Sequence, residues 1–539
     1  MEEILKTALL GTAKHRVGPS ADHPLDRMIG QLAEASADRE LLLRAGSWST
    51  YQLAGYQPQP SSETLEPAPE ENQPKCSARA ADIIKEFLEH KQPALLEEAF
   101  VLLSKTSQRL PPRILPDVLE HYSHSQSGQT SDLLKVLGQR GRWLCQFNEK
   151  WRKILSQLSE AKELPANAEA LWNEGSPSER KSILSKVRSV DPPKSRQWLE
   201  AVWAAEKADA RAEFLEILEA GLSAQDQTFL EGILADGSKR VRSTAGRLLC
   251  RLPESGTAQR VRRLGESMLA FSPPKSVGRI KSLVRSVTGK SDAGKLIITP
   301  PQEFDKGWEK DGMQEKPPPG TGKREFWMTQ VMERIPPSHW EDHFHVPVAQ
   351  LIAAAAEDDF GIALLTAWSK AAQYFQCGEW LSALSDFWVH WDDDKKKSKE
   401  HGIAQSQLLE LLAAMPPGER ETRILPLIEK PTPENSMLVC RTLESLPRPW
   451  SESLVRTFIS AARRVMLEPT KEPALTAAWS SALNEAAAGI PSSCFDEALE
   501  PWEISETDDY AVRVCRKAVE EFTETVRLRR DFHQAVSSK

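Results

Sequence analysis

Long apolar runs are missing from this 539-residue chain, and none reaches the 18 residues that a membrane-spanning helix needs. We therefore expect no membrane span. Cysteine is also sparse, because the seven cysteines are scattered and include no Cys-x-x-Cys pair. This spacing excludes a disulfide framework and a zinc knuckle. It is typical of buried thiols in a reducing cytoplasm.

An excess of one charge is absent as well. The 69 basic and 77 acidic side chains leave a net charge of -8, which gives no global attraction to nucleic acid or anionic lipid. The N-terminus opens with Glu2 and Glu3 instead of a basic segment. We therefore expect no signal peptide and a cytoplasmic protein.

Strand-forming patterns are nearly absent, and the exception is residues 295–299 (KLIIT), which Pro300 ends. Apolar residues recur at helical spacing instead, most clearly in the last helix, at Val512, Cys515, Val519, Phe522 and Val526. Many of the 37 prolines fall between helices, where a proline suits the first turn because its missing N–H has no helical partner there. These patterns predict an all-α fold built as a helical array.

Proline-rich and irregular stretches divide the chain into predicted segments. These are an N-terminal helical cap at 1–54, an exposed Pro/Glu-rich loop at 55–75, a helical domain at 76–270, an irregular linker with a short strand at 271–322, and a C-terminal helical domain at 323–539.

Residues 223–263 read as a helix, an Asp-Gly-Ser turn, a second helix, a Leu-Pro stop and a third helix. The segment resembles a HEAT repeat at Leu234, Asp236, Val241, Arg242, Ala245, Leu248 and Leu249. The helical period predicts a packed stripe of Val241, Ala245, Leu248 and Leu252. The resemblance implies that Asp236 and Arg242 belong to a hydrogen-bonded ladder between neighbouring repeats. The alternative is that both charges simply face solvent.

Six further motifs resemble, in their order, one uncharacterised bacterial family of HEAT-like helical proteins: TALLGT (7–12), LGQRGRWL (137–144), WLEAVW (198–203), GLS (221–223), KREFW (323–327) and IPPSHW (335–340). The resemblance implies a HEAT-like α-solenoid array, which the predicted segments divide into two helical halves with a short irregular or β segment between them. Members are often encoded beside a MoxR-type AAA+ ATPase, a von Willebrand A-type protein and a SWIM zinc-finger protein. The family has no established catalytic residues, so none is carried over.

Residues 317–324 (PPPGTGKR) approach a phosphate-binding loop but depart from it at two positions. Pro317 stands where the motif opens with glycine, and Arg324 stands where a hydroxyl residue would hold magnesium. We expect no nucleotide and no other cofactor. The alternative that we favour is a proline-stiffened loop that enters a helix near Lys323.

Three imidazoles lie close together at His339, His343 and His345. A helical i, i+4 pair can bind zinc, but no cysteine or matching carboxylate spacing nearby completes a ligand set. A capping box, with Ser338 as the N-cap and Glu341 three residues later, accounts better for this segment.

Four tryptophans follow in the second half, at Trp368, Trp380, Trp388 and Trp391. Tryptophan is highly buried on average, so these residues favour core packing. A peptide-binding groove is the alternative.

A basic stripe departs from the acidic background. At 100° per residue, Arg240, Arg247 and Arg251 share one flank of the helix that contains them. We interpret these three residues as a candidate surface for a protein partner, or for phosphate, and a merely solvated flank is the alternative.

No catalytic motif occurs, so the chain is predicted to be non-enzymatic. Stacked helices favour a protein-interaction scaffold or adaptor, acting with a MoxR-type AAA+ ATPase or a von Willebrand A-type partner. The alternative is a HEAT-like protein that binds or processes nucleic acid, against which the net charge of -8 argues.

Overall fold

The computed structural model describes most of the chain: residues 2–15, 25, 28–29, 36–54, 66–90, 92–123, 131–159, 164–165, 167–273, 294–391, 403–469, 472–504, 507 and 509–537. Helices hold 73% of these residues and strands hold 2%, which confirms the predicted all-α fold. Among the described helices, none is long and apolar enough to cross a membrane.

Proline residues lie where many helices begin, as the sequence predicts, and small polar side chains cap the starts of several helices. Seven of the described α-helices carry proline at their first or second position: Pro93, Pro116, Pro177, Pro192, Pro417, Pro433 and Pro473. Hydroxyl and carboxylate side chains accept a bond from the free N–H groups of the first turn at Ser77, Ser176, Asp191, Ser238, Ser255, Thr432 and Ser451.

The chain divides into two compact units, Met1–Ala68 and Pro69–Lys539. The first unit contains α1 (Glu2–Leu10) and α2 (Ala37–Ala54), which pack against each other. Within α2 the buried Arg44 guanidinium donates to the Glu40 carboxylate one turn earlier, at 2.9 Å.

The second unit begins with six helices that share one hydrophobic cluster: α3 (Ala78–Glu89), α4 (Pro93–Lys105), α5 (Leu115–Ser123), α6 (Ser131–Val136), α7 (Gly138–Cys145) and α8 (Glu149–Ser159). A second cluster is formed by α9 (Ala168–Glu174), α10 (Pro177–Val190), α11 (Pro192–Val202), α12 (Ala208–Ile217), α13 (Gln227–Ile233) and α14 (Lys239–Cys250). Short 3-10 turns at Pro112–Ile114, Trp203–Ala205 and Ala224–Asp226 lie between them.

The remaining elements share the third cluster. They are α15 (Gly256–Met268), β1 (Leu269–Ser272), β2 (Lys295–Ile298), α16 (Lys323–Met332), α17 (Ser338–Phe344), α18 (Val348–Ala355), α19 (Gly361–Tyr374), α20 (Gly378–Val389), α21 (Ile403–Ala414), α22 (Pro417–Glu429), α23 (Pro433–Ser445), α24 (Glu452–Leu467), α25 (Pro473–Gly489), α26 (Phe495–Ala498) and α27 (Tyr510–Ser537). Further 3-10 turns span Lys306–Asp311 and Ser492–Cys494. The cluster includes residues on both sides of segment 271–322. Residues before and after that segment therefore share one core, while the division into five segments stays a prediction.

The short strand was predicted correctly at 295–299. β2 pairs antiparallel with β1, and Leu269 lies opposite Ile298. Leu296 and Ile298 are buried while Lys295 and Ile297 are exposed, which is the alternation of a half-buried strand. The sequence does not predict β1, because its four residues follow α15 without a helix-breaking residue.

Neighbouring helices pack in a regular order within the second unit. Contacts join α10 with α11 and α12, α12 with α14, and α14 with α15. Further along, α21, α23, α25 and α27 follow one another in contact, as do α22 and α24. Each of these helices therefore packs against helices one or two positions away along the chain.

The last helix also returns to the beginning of the second unit. α27 packs against α25 and against α3 and α4. The buried Arg529 of α27 donates to Glu98 of α4 at 2.7 and 2.8 Å, and His533 contacts the same carboxylate at 2.8 Å. Burial alone would raise the pKa of Glu98, but the hydrogen bonds with His533 and Arg529 outweigh it and lower that pKa. A paired carboxylate thus joins helices that are more than 400 residues apart.

Candidate functional site: an arginine-lined groove

Helix α14 positions the predicted basic stripe by burying its opposite face. Ser238 caps the helix by accepting from the Val241 amide. The predicted stripe of Val241, Ala245, Leu248 and Leu252 is buried, with exposed fractions between 0% and 8%. Because this face packs against α12 and α13, the arginines of the other flank lie towards solvent.

Acidic residues of the preceding segment screen two of the three arginines. Arg251 lies 2.8 Å from Glu219, and Arg240 lies 3.7 Å from Asp209 and 3.8 Å from Glu216. The Arg240 pairs are exposed, and exposed pairs of this kind contribute little to stability. They nevertheless neutralise much of the charge that these two arginines could offer to a partner.

Arg247 differs from both neighbours. It is exposed and makes no ion pair with any residue that the structure describes. Its guanidinium carbon lies 5.3 Å from the ring centre of Tyr374 on α19, and the Tyr374 hydroxyl donates to the Arg247 carbonyl at 3.2 Å. Arg251 lies 5.2 Å from the same ring. The aromatic ring therefore holds two guanidinium groups side by side through cation–π contacts.

Burial, with a smaller contribution from Glu219, raises the pKa of Tyr374 well above its usual range. The phenol consequently stays protonated at neutral pH and remains a hydrogen-bond donor. This fixes α19 against the last turn of α14, where Arg247 lies.

A groove of about 440 Å³ surrounds this contact. Its lining side chains are polar or charged: Glu219, Arg247, Arg251, Glu333, Lys370, Gln373, Tyr374 and Gln376. Lys370 pairs with Glu333 at 2.9 Å, as Arg251 pairs with Glu219, so Arg247 carries the unmatched positive charge of the groove.

A second positive charge lies behind the groove. Arg334 is buried, and its described bonds reach the Gln330 and Gly312 carbonyls and the Ser243 hydroxyl instead of a carboxylate. Burial, together with repulsion from Arg247, lowers the pKa of Arg334. A guanidinium stays protonated at neutral pH even so, and its field adds to that of Arg247.

The predicted ladder residues have different partners from those expected. Arg242 donates to the backbone carbonyls of Asp236 and Gly237, at 2.6 and 3.1 Å, within its own turn. The Asp236 carboxylate accepts from the Ser238 amide and lies 3.2 Å from Arg211 of α12. The ion pair with the neighbouring helix α12 is therefore formed by Asp236 and Arg211, whereas Arg242 bonds within its own turn.

A buried ion pair nearby was not predicted from the sequence. Arg188 of α10 binds Asp226 with two bonds of 3.1 and 2.8 Å, and both side chains are at most 1% exposed. Arg196 and the Ser223 amide complete the acceptor capacity of Asp226. The partners lie 38 residues apart, so no local spacing pattern in the sequence connects them.

The segment that approaches a phosphate-binding loop serves as a helix entry. Residues 317–322 are irregular, and α16 begins at Lys323. The Arg324 guanidinium donates to the Pro300 and Pro301 carbonyls at 2.9 and 3.3 Å, which ties the helix start to the end of the β segment.

We expect Mg-ATP not to bind at residues 317–324, because Pro317 and Arg324 replace the two residue types that the chemistry requires. Isothermal titration of the full chain should give no binding heat from this loop. Micromolar affinity that disappears in Lys323→Ala would contradict the prediction.

The four tryptophans between residues 368 and 391 pack in the core, as the sequence predicts. Trp368, Trp380 and Trp388 are at most 2% exposed, and Trp391 is partly buried against the same cluster. The Trp388 indole donates to Ser369 at 3.0 Å.

The predicted capping box at α17 is wrong. Pro337 occupies the N-cap position, and no side chain caps this helix end. Glu341 instead accepts from the Val348 amide at 3.1 Å and from the Trp380 indole at 2.6 Å. Tertiary contacts thus outcompete the local cap for the Glu341 carboxylate.

A family model described as a family of unknown function (DUF5691) matches residues 3–536. The chain therefore belongs to this family. Neither the curated proteins nor the solved structures contain a match to the chain.

Proposed function

We propose that this family member is a non-enzymatic interaction protein whose arginine-lined groove binds an acidic segment of a protein partner. The observation that carries the proposal is Arg247, an exposed guanidinium that the described part of the chain does not neutralise. Tyr374 restricts its motion, so less conformational entropy is lost when a carboxylate binds.

The packing order of the helices supports this class of function. Contacts between helices one or two positions apart are what a stacked HEAT-like array produces, and such arrays present extended surfaces to partners. We accordingly propose an α-solenoid-like arrangement for the second unit, with the groove between α14 and α19 as a binding position.

A protein partner fits the groove better than duplex DNA does. Arg251 and Lys370 already have acidic partners, which leaves one unmatched cation among the residues that line the groove, on a chain with net charge -8. DNA affinity comes from releasing many counterions, with a slope near -0.9 per neutralised phosphate, so a single contact supplies little. One positioned arginine can still orient an acidic protein segment.

The partner that we propose is an AAA+ ATPase of the MoxR type or a von Willebrand A-type protein. This choice rests on the family resemblance, since members are often encoded beside such proteins.

The test is a pull-down of purified candidates with wild-type protein and with Arg247→Glu. Charge reversal should weaken capture at least about tenfold, because it places like charges together. Arg263→Glu is the matched control, since it makes the same change at an exposed residue of α15 outside the groove. Equal capture by all three proteins would contradict the proposal.

A parallel arm measures duplex DNA binding at about 0.15 M salt, where the Debye length is about 8 Å. Loss of DNA binding in Arg247→Glu, with capture of the protein partner intact, would favour the nucleic-acid alternative instead.

A further inference from the structure

Two of the three clustered histidines meet a carboxylate from another helix. His339 and His343 lie one turn apart on α17, and Glu266 lies on α15, 73 residues earlier than His339. His345 follows α17 in a left-handed conformation and does not join the group. The carboxylate that local spacing lacks is thus supplied by a helix that is distant in sequence.

The three side chains offer one ligand atom each within a small volume. His339 Nε2 lies 2.9 Å from Glu266 Oε1, and His343 Nδ1 lies 3.9 Å from the same oxygen. All three ligand atoms are within 4.8 Å of one another. Ligands of one tetrahedral zinc ion, each about 2.0–2.1 Å from the metal, lie about 3.3 Å apart. The observed spacing is therefore within about 1.5 Å of a coordination sphere.

A glycine allows the two helices to approach. An added Cβ at Gly265 would lie 2.3 Å from Ile335 Cδ1 and 3.3 Å from the Trp340 ring. Trp340, which follows His339 in the sequence, is fully buried and packs against Gly265. This packing holds Glu266, the residue after Gly265, beside the histidines. The approach is built into the core and does not depend on mobile surface side chains.

A second His–Glu contact in the same chain serves as a comparison, because its carboxylate also has an arginine partner. His533 lies 2.8 Å from Glu98, but Arg529 donates two bonds to that carboxylate and neutralises it. Glu266, by contrast, has two imidazoles beside it and no arginine bond in the described structure. Its side chain is 29% exposed and those of His339 and His343 are 19% and 34% exposed, so an ion could enter from solvent.

We propose that Glu266, His339 and His343 bind one divalent transition-metal ion, with Zn²⁺ as the preferred class. Two imidazoles and one carboxylate suit zinc and its neighbours better than magnesium or calcium, which take oxygen ligands. Three protein ligands leave a coordination position for water, as in sites where zinc also binds a substrate or an exogenous ligand. The ion would also link α15 to α17. This proposal is independent of the arginine-lined groove.

The test uses the full chain without an affinity tag, stripped of metal by a chelator. Titration with ZnCl₂ should show one site tighter than any other, and Co²⁺ should give a d–d absorption band typical of low coordination number. His343→Ala and Glu266→Gln should each weaken the tight site by more than about a hundredfold, which exceeds the loss of about 10–100-fold seen when only an outer partner is changed. Zn²⁺ should also raise the melting temperature of the wild type more than that of either variant.

His345→Asn is the matched control, because it removes an adjacent imidazole outside the cluster and asparagine tolerates the left-handed conformation. This control should bind Zn²⁺ like the wild type. The proposal is overturned if the wild type shows no tight site, or if His343→Ala and the control lose affinity equally. Circular dichroism of each variant tests whether it is folded, which we expect because all three substituted side chains are partly or fully exposed.

Discussion

Leu248→Asp should lower the free energy of unfolding by several kcal/mol, the largest effect that we expect from one substitution in this chain. Leu248 is fully buried in the cluster that α14 shares with α12 and α13. The aspartate would lose the apolar contacts of leucine and would also place an unpaired carboxylate among apolar side chains.

Urea denaturation followed by circular dichroism measures the effect as a lower transition midpoint, or as the absence of a folded baseline. Leu248→Met is the matched control, since a swap that conserves volume costs less than about 1.5 kcal/mol. An unchanged midpoint in Leu248→Asp would mean that this face of α14 does not pack in the core.

Asp226→Leu should cost about 3–5 kcal/mol, because it leaves the Arg188 guanidinium buried without its counter-ion. Arg188 would keep its bonds to the Leu218, Ala220 and Gly221 carbonyls, which lie just after α12, but those bonds do not neutralise its charge.

Asp209→Leu serves as the control for the loss of an aspartate. Its side chain is 90% exposed and lies 3.7 Å from Arg240, so its loss should change stability by less than about 1 kcal/mol. Urea midpoints that fall equally in the two variants would refute the distinction between the buried and the exposed pair.

The stabilisation from Asp226 should also depend on pH. Burial alone would raise the pKa of Asp226, but hydrogen bonds from Arg188, the Ser223 amide and Arg196, with the charge of Arg188, lower it. A lowered folded-state pKa means that the stabilisation is complete above the unfolded value of about 3.9 and is lost as the pH falls below it. The stability difference between wild type and Asp226→Asn should therefore narrow below about pH 4.

Local patterns account for most of the secondary structure. The helical period of the last helix predicted its buried face, and Val512, Cys515 and Phe522 are all at most 1% exposed. The turn residues between 233 and 256 predicted where α14 begins and ends. These features depend on side-chain spacing and backbone preference over a few residues, and both can be read along the chain.

The candidate sites depend on contacts that no local pattern contains. The sequence placed Arg240, Arg247 and Arg251 on one flank, but only the packing of α12 and α19 distinguishes Arg247 from the other two. An ion pair or a cation–π contact needs a partner at a particular distance, and that partner can come from anywhere in the chain.

The histidine cluster follows the same division. The sequence alone predicts that His339 and His343 lie one turn apart, because residues i and i+4 are neighbours on the surface of a helix. The sequence also suggests that Glu341 caps its own helix. In the folded chain the Glu341 carboxylate instead accepts hydrogen bonds from the Trp380 indole and the Val348 amide. Glu266 lies beside the two imidazoles because Gly265 packs closely against Ile335 and Trp340. Helical period and composition thus determined the all-α class, whereas side chains from distant helices assembled each site, since their meeting depends on how the whole core packs.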